Sequence, residues 1–432
     1  MAYLLTVGPI SKTIGRLLLV LAAGLIASAP AMGFTSQLKF ENRMQGSNVP
    51  FGEIRAVVHG SDGFLWVGGD AGMYRYDGYT FTPIAIDYTH GEISELRHIS
   101  AIFEDSAKRL WVGSTAGLML LDRDRNLLLP VGRELAEKPF INAFAELNNG
   151  DILIAAVQGL FLFDHQTETF SVIASERSKR GLSDSTFFDI WVSDDQNVWL
   201  AIRTGLVHFD TKTQVFTAKP LPNLSVSKRD LTIRAIAPAE NGSMWLGTFE
   251  GLAHFNPKSS VAKVFRHDPN KPDSLSSHKI WDLFRDKHGD LWIATDGGGL
   301  NQLPADQAAF IHHKHNIFQT GTLSSNVVRC VVEDRLGNLW VGNYPDGLNY
   351  LDRSMSGFKH IGYNGQADGL SHNSVVSITE TPDGNLWLGT DGGGINYLET
   401  RSQNIHYFKH DPFDDQSLAS NAIHDLLLEG DQ

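Results

Sequence analysis

The sequence predicts an all-β chain built from one repeated four-stranded unit, on three observations. A Trp-centred motif recurs at Trp66, Trp111, Trp199, Trp245, Trp292, Trp340 and Trp387, with Leu153 in the one gap, at spacings of 45, 42, 46, 46, 47, 48 and 47 residues. Within each copy, short apolar runs are parted by turn sequences such as "SDGF", "ENGS", "LGNL" and "PDGN", the chemistry of tight hairpins. No stretch after the first thirty-three residues carries an amphipathic helical period. Eight copies of a four-stranded unit of about 46 residues point to the blades of a β-propeller, since the coils of an open β-solenoid are much shorter.

The leader comes first in the chain. Lys12 and Arg16 precede the apolar run from Leu17 to Ile26, and small residues follow through Ala31, Met32 and Gly33, which reads as a secretory signal over residues 1–33. Ten apolar residues are short for a bilayer span, so cleavage after Gly33 is the expectation and an uncleaved anchor the alternative. Residues 34–432 then hold 34 basic and 49 acidic side chains, a net charge of −15. That balance argues against nucleic acid or an anionic membrane surface as partner. The single cysteine, Cys330, excludes an internal disulfide and is expected to be a buried, inert thiol.

Alignment on the Trp anchor gives the elements of the unit. Twelve residues before it stand Ile54, Ile99, Ile141, Phe187, Ile233, Ile280, Val328 and Val375; nine before it stand Val57, Ile102, Phe144, Ile190, Ile236, Leu283, Val331 and Ile378. Ten before it every side chain is short: Ala56, Ala101, Ala143, Asp189, Ala235, Asp282, Cys330 and Ser377. A strand restricted on both faces is packed between two neighbours. The Trp strand follows the turn, with Gly or Ala two residues past the anchor in every copy, where a small side chain lets the adjacent sheet approach. A Gly-plus-apolar pair opens a third strand ("GMYRYD", "GLFLFD", "GLVHFD"), and a looser fourth follows ("YTFTPI", "ETFSVI", "TQVFTA", "SGFKHI").

Seven blades fill residues 34–365 after the signal, and residues 366–432 hold the eighth copy and an incomplete ninth, the start of a second propeller. The final "SLASNAIHDLLLEGDQ" matches "GLSHNSVVSITETPDG" and stops where the next "NLW" is due, so a truncated product or fragment is expected.

The units "ISAIFEDSAKRLWVGSTAGLMLLD", "VVRCVVEDRLGNLWVGNYPDGLNYLD" and "VVSITETPDGNLWLGTDGGGINYL", with the linkers "FRHDPNKPDSLSSHKI" and "FKHDPFDDQSLASNAI", resemble two-component regulator propeller repeats from about residue 38 to the end. The resemblance implies the periplasmic sensor region of a membrane-anchored hybrid histidine kinase or GGDEF diguanylate cyclase. It also implies a small-molecule or oligosaccharide ligand and a homodimer. The chain contains no phosphoacceptor His context, GGDEF motif or receiver domain, so any output belongs to the parent receptor.

"TDGGG" at 295–299 and 390–394 lies between two strands. A phosphate cradle needs a helix after its glycines, so these are turns absorbing a one-residue insertion. Asp296 and Asp391 sit in them, each the only carboxylate of its loop, short of a Ca²⁺ shell. Eleven residues before the anchor stand Arg55, Ser100, Asn142, Phe188, Arg234, Trp281, Arg329 and Val376, near the end of the propeller where ligands usually enter. Arg55, Arg234, Trp281 and Arg329, with Asp296 and Asp391 at the rim, are the candidate ligand site. They suit an anionic sugar or a carboxylate, by bidentate pairing and stacking. Alternatively the arginines pair with Asp189 and Asp282. Those two carboxylates are themselves the first candidates should the chain be an exported polysaccharide hydrolase or lyase, with a buried structural role favoured. "IHHKH" (His312, His313, His315) reads as the polar edge of an outer strand rather than a metal site. No motif implies a cofactor or catalysis; a passive interaction scaffold is the third reading.

Overall fold

The computed structural model describes residues 38–428, apart from 45–46, 48, 51, 88–97, 116, 133–134, 136–138, 176–179, 195–196, 222–223, 225–230, 307–308, 346, 354–360, 364–368 and 403. The expected signal at 1–33 lies outside the described residues. Among them, eight separate sheets account for the strands, and the one helical element is a 3-10 turn at Glu240–Gly242. The fold is a β-propeller of four-stranded antiparallel blades, the second of which carries a fifth strand, Ala85–Ile86, parallel to its outer strand Leu127–Pro130.

Seven sheets form a ring. Their inner strands are Ile54–His59, Ile99–Glu104, Ile141–Glu146, Phe187–Asp194, Ile233–Pro238, Ile280–Arg285 and Val327–Glu333, each packed on the next, and the last packs back on the first. The seventh blade (327–351) takes its outer strand from the chain's beginning. Phe40–Asn42 runs antiparallel to Gly347–Leu351, with Phe40 opposite Leu351 and Asn42 opposite Asn349. This corrects the fourth strand expected at "SGFKHI", most of which lies outside the described residues. Phe40 is buried with Trp292, Leu323 and Leu351, so an apolar side chain near the beginning of the chain finds its core at the seventh blade.

One irregularity explains why both −12 and −9 are apolar. In every copy the ladder between the first two strands skips one residue: Ile54 pairs Gly69, Ala56 pairs Gly68, and Arg55 between them pairs nothing. The same shift falls at Ser100, Asn142, Phe188, Arg234, Trp281, Arg329 and Val376. This β-bulge places positions −12 and −9 on one face and re-aims the extra residue.

The small residue two past the anchor is explained by the next blade. A Cβ on Gly68 would lie 2.4 Å from Ile99, on Gly113 2.5 Å from Ile141, and on Gly247 2.7 Å from Ile280. At the junction that closes the ring, a Cβ on Gly342 would lie 2.9 Å from Ile54. Trp111 and Trp292 are fully buried, and their Nε1–H groups each donate to a carboxylate six residues earlier, Asp105 and Asp286, at 2.8 Å. Trp340 donates likewise to Asp334 at 3.1 Å.

The eighth sheet (375–408) repeats the blade without a following neighbour among the described residues. Its Ile378 is 63% exposed, whereas the equivalent Ile102 is 8% exposed. Gly389 already packs on Ile423, and Leu426 N–H donates to Ser377 Oγ, so the contacts of a further inner strand have begun.

Ile311–His313 is the outer strand of its sheet, as expected, but its histidines are not open. His313 is enclosed, its ring 5.5 Å from Trp292 and 5.6 Å from Phe40, and burial holds it neutral, pushed down to about 4. His312 and His315 hydrogen-bond the carbonyls of Ser274 and Leu323 at 2.6 Å each. On this outer strand and just after it the rings therefore serve as linker clasps and core.

Candidate functional site

The bulges put their extra residues into one place. A cavity of about 550 Å³ at the ring centre is lined by Arg55, Ser100, Asn142, Phe188, Arg234, Trp281 and Arg329, among others. Seven inner strands therefore each contribute one side chain freed from its ladder, and four of the seven are Arg or Trp.

The cations are clustered and under-compensated. Arg234 lies 4.3 Å from the Phe188 ring, 4.7 Å from Trp281 and 5.9 Å from Phe249. Arg329 lies 4.0 Å from Trp281 and 5.8 Å from Tyr344. Trp281 thus stands between two guanidiniums, with Phe249 edge-on at 5.2 Å. Glu53, just before the first inner strand, pairs with both Arg55 and Arg329. Among the described residues, Arg234 has no hydrogen bond and no ion pair, and Arg234 Nε, Arg329 Nη1 and Trp281 Nε1 are buried without an acceptor. Burial, reinforced by Arg329 and Arg55, pushes Arg234 down to about 10.

Asp189 and Asp282 are not the arginines' partners. Asp189 accepts from Ile190 N–H at 2.8 Å and, across the blade boundary, from Ile236 N–H at 2.7 Å. Asp282 accepts from Leu283 N–H at 2.8 Å and from Val331 N–H at 3.0 Å. Each carboxylate therefore ties its inner strand to the next, with one bond per oxygen. Burial pushes Asp189 up to about 7 and Asp282 up to about 6. Cys330, also in the cavity wall, has its thiol pushed up by burial and is chemically quiet.

Neither rim aspartate lines the cavity, although Asp296 stands, as expected, beside the start of an inner strand. Asp296 is absent from the cavity wall; its carboxylate faces Lys279 at 4.0 Å and its backbone bridges to Val327. Asp391 belongs to the eighth sheet, bridged to Ala422. The "TDGGG" turns dock on the linker entering the next inner strand: Gly299 N–H donates to Asn326 O at 2.8 Å, and Gly394 N–H to Asn421 O at 2.8 Å. Gly297 and Gly299 take positive φ, and a Cβ on Gly298 would lie 2.3 Å from Ser276 Oγ, so the glycines answer turn geometry and close approach.

Sequence reading missed Glu53, Phe249 and Tyr344. The last two stand four residues past the anchor, on the loop tips beside the bulges, so aligning that column as well would have found them. It also missed Asn301, Asn349 and Asn396, fully buried nine residues past the anchor. Each amide side chain clasps a linker serine from both sides: Ser276 N–H donates to Asn301 Oδ1 at 2.9 Å and Asn301 Nδ2 donates to Ser276 Oγ at 2.6 Å. Ser324 with Asn349 and Ser371 with Asn396 repeat the pair. A second cavity, about 440 Å³, opens at Leu147, Leu153, Leu162 and Phe209. There the third blade lacks both the anchor indole and its Asp partner.

Three units match the family model "Two component regulator propeller", at residues 274–297, 322–344 and 369–392; these are the units that carry the buried Asn. No curated protein matches the chain by sequence. Among solved structures it resembles a domain described as the extracellular domain of a hybrid two component system from B. thetaiotaomicron (TM-score 0.73, 19% identity, 91% of this chain and 51% of that one). A second extracellular domain from that organism, described as a one component system, aligns at TM-score 0.61 with 19% identity over 86% of this chain and 54% of that one. The chain thus spans about half the length of these structures. Virginiamycin B lyase from Staphylococcus aureus aligns at TM-score 0.54 with 11% identity, over 73% of this chain and 98% of that one. At these identities the likeness is one of fold.

Proposed function

We propose that this chain, which carries two component regulator propeller repeats, is the exported ligand-sensing module of a transmembrane signalling receptor whose output lies outside residues 1–432. The observation that carries the reading is the central cavity, where bulges on all seven inner strands of the ring turn the side chains of residues left out of the ladder toward one space while the rest of each blade is spent on packing. A ligand held there touches several blades at once, the arrangement by which binding could bias the whole ring. The leader expected at 1–33 and the fold shared with extracellular domains of two component systems support an exported location. Membrane anchoring, a kinase or cyclase output and dimerisation belong to the same proposal.

A panel of neutral and acidic oligosaccharides screened by thermal shift tests the sensing reading, and a ligand that raises Tm in a saturable way supports it. The enzyme alternative makes a different forecast: the same incubations would release new reducing ends or unsaturated products. An alkaline phosphatase fusion after residue 428 checks export, since that reporter is active only outside the cytoplasm.

A further inference from the structure

We propose that the cavity holds a carboxylate of its ligand between Arg234 and Arg329, selecting acidic over neutral compounds. The inference rests on the reading of this cavity as the sensing site and deepens it. Three guanidiniums line the space; Glu53 is shared by Arg55 and Arg329, and Asp70 pairs with Arg55 at 3.7 Å, which leaves Arg234 without a carboxylate among the described residues. Asp189 and Asp282 spend their oxygens on strand amides. Arg234 is left with three aromatic neighbours and no acceptor, beside Arg329, whose Nη1 has none.

A guanidinium that is largely enclosed and whose Nε meets no acceptor is held at a cost. The unpaired polar atoms around the two guanidiniums are all donors, including Trp281 Nε1. Donors without acceptors match a group that only accepts, and a planar carboxylate meets the guanidinium fork with two parallel hydrogen bonds. The aromatic rings take a different part from simple sugar stacking. Trp281 has a guanidinium near its ring on two sides, from blades five and seven, so it orders the arginines instead of serving as an open platform. The cavity, about 550 Å³, falls within the usual range for small-ligand sites.

The test titrates the full chain with digalacturonate, its neutral counterpart galactobiose, and citrate, reading Tm and calorimetric affinity for the wild type, R234M and R329M. Digalacturonate is expected to bind and galactobiose to bind at least tenfold more weakly. Each variant should lose at least tenfold in affinity for the acid, while the ligand-free Tm of R234M holds or rises because an unpaired buried charge has gone. Citrate binding as tightly as digalacturonate would also support the carboxylate, its source then being a free organic acid. Equal binding of the acidic and neutral disaccharides, or R234M retaining wild-type affinity, overturns the inference and leaves the sensing reading standing. If no compound in the whole panel moves Tm, the sensing reading itself fails.

Discussion

Asp189 and Asp282 stand in a column where the six other copies carry Ala, Cys or Ser, and the structure shows what the exception does: each ties two inner strands together through backbone amides. Both are buried, and burial raises them from 3.8 to about 7 and about 6. A carboxyl whose folded value exceeds its unfolded value contributes stability that is complete below about pH 4 and is lost as pH rises through the folded value. Carboxylates held low, such as Asp184 and Asp286, act in the opposite sense, so only a difference isolates the pair. The Tm of the wild type minus that of D189N/D282N should therefore be larger at pH 5 than at pH 8, falling steadily as pH rises from about 4 and levelling off above about pH 7. The charged and titratable groups around the two are Glu53, Arg55, Arg234, Arg329 and Cys330. A pH-independent difference would show that neither carboxyl titrates in this window. At this scale the sequence revealed the exceptional residues but not their partners, because a bond from Asp189 to Ile236 crosses 47 positions that only the ring brings together.

Within the blade, the Trp anchor was legible because an indole recurs at a near-constant spacing, whereas its Asp partner six residues earlier was not, being present in only some copies. Asp105 accepts from Trp111 Nε1 at 2.8 Å, from Arg109 N–H at 2.8 Å and from Arg109 Nε at 2.6 Å. Replacing it with Ala leaves a buried indole donor unmet, and D105A should lower stability by about 2–3 kcal/mol in urea unfolding. The third blade gives the natural control, with Leu147 and Leu153 in the two positions. D105L/W111L should therefore lose less than the sum of its single variants, by about 1 kcal/mol or more; strict additivity would mean that the two side chains do not act as a pair. The −11 column was likewise visible as a column, but its meaning was not. A bulge is a fault in pairing register, and strict two-residue alternation has no place for it. Once Arg55 is seen as the unpaired residue between Ile54 and Ala56, the apolar −12 and −9 positions cease to look like a strand buried on both faces.

For the whole molecule, periodicity carries the repeat but not the closure, because the strand that completes the seventh blade is three residues long and comes from the other end of the ring. Phe40–Asn42 pairs with Gly347–Leu351, and Arg43 N–H continues the contact to Leu348 O at 2.9 Å. Arg43 also lies 4.6 Å from the Tyr350 ring. A second set of contacts closes the same junction from within, where Gly342 meets Ile54. A ring fastened at both its inner and outer strands should unfold as one unit, and weakening either fastening should destabilise all seven blades. Phe40→Ala, which empties a buried site beside Trp292 and Leu351, should cost about 3 kcal/mol. Gly342→Ala, forcing a methyl onto Ile54 and Cys330, should cost about 1–3 kcal/mol. Each variant should still give a single unfolding transition of the ring, followed by Trp fluorescence, with the midpoint moved down. If Phe40→Ala left the midpoint unchanged, the chain's first strand would not be the seventh blade's fourth. An early, separate transition would mean that the ring opens there before the rest unfolds, making this junction the weakest seam of the seven.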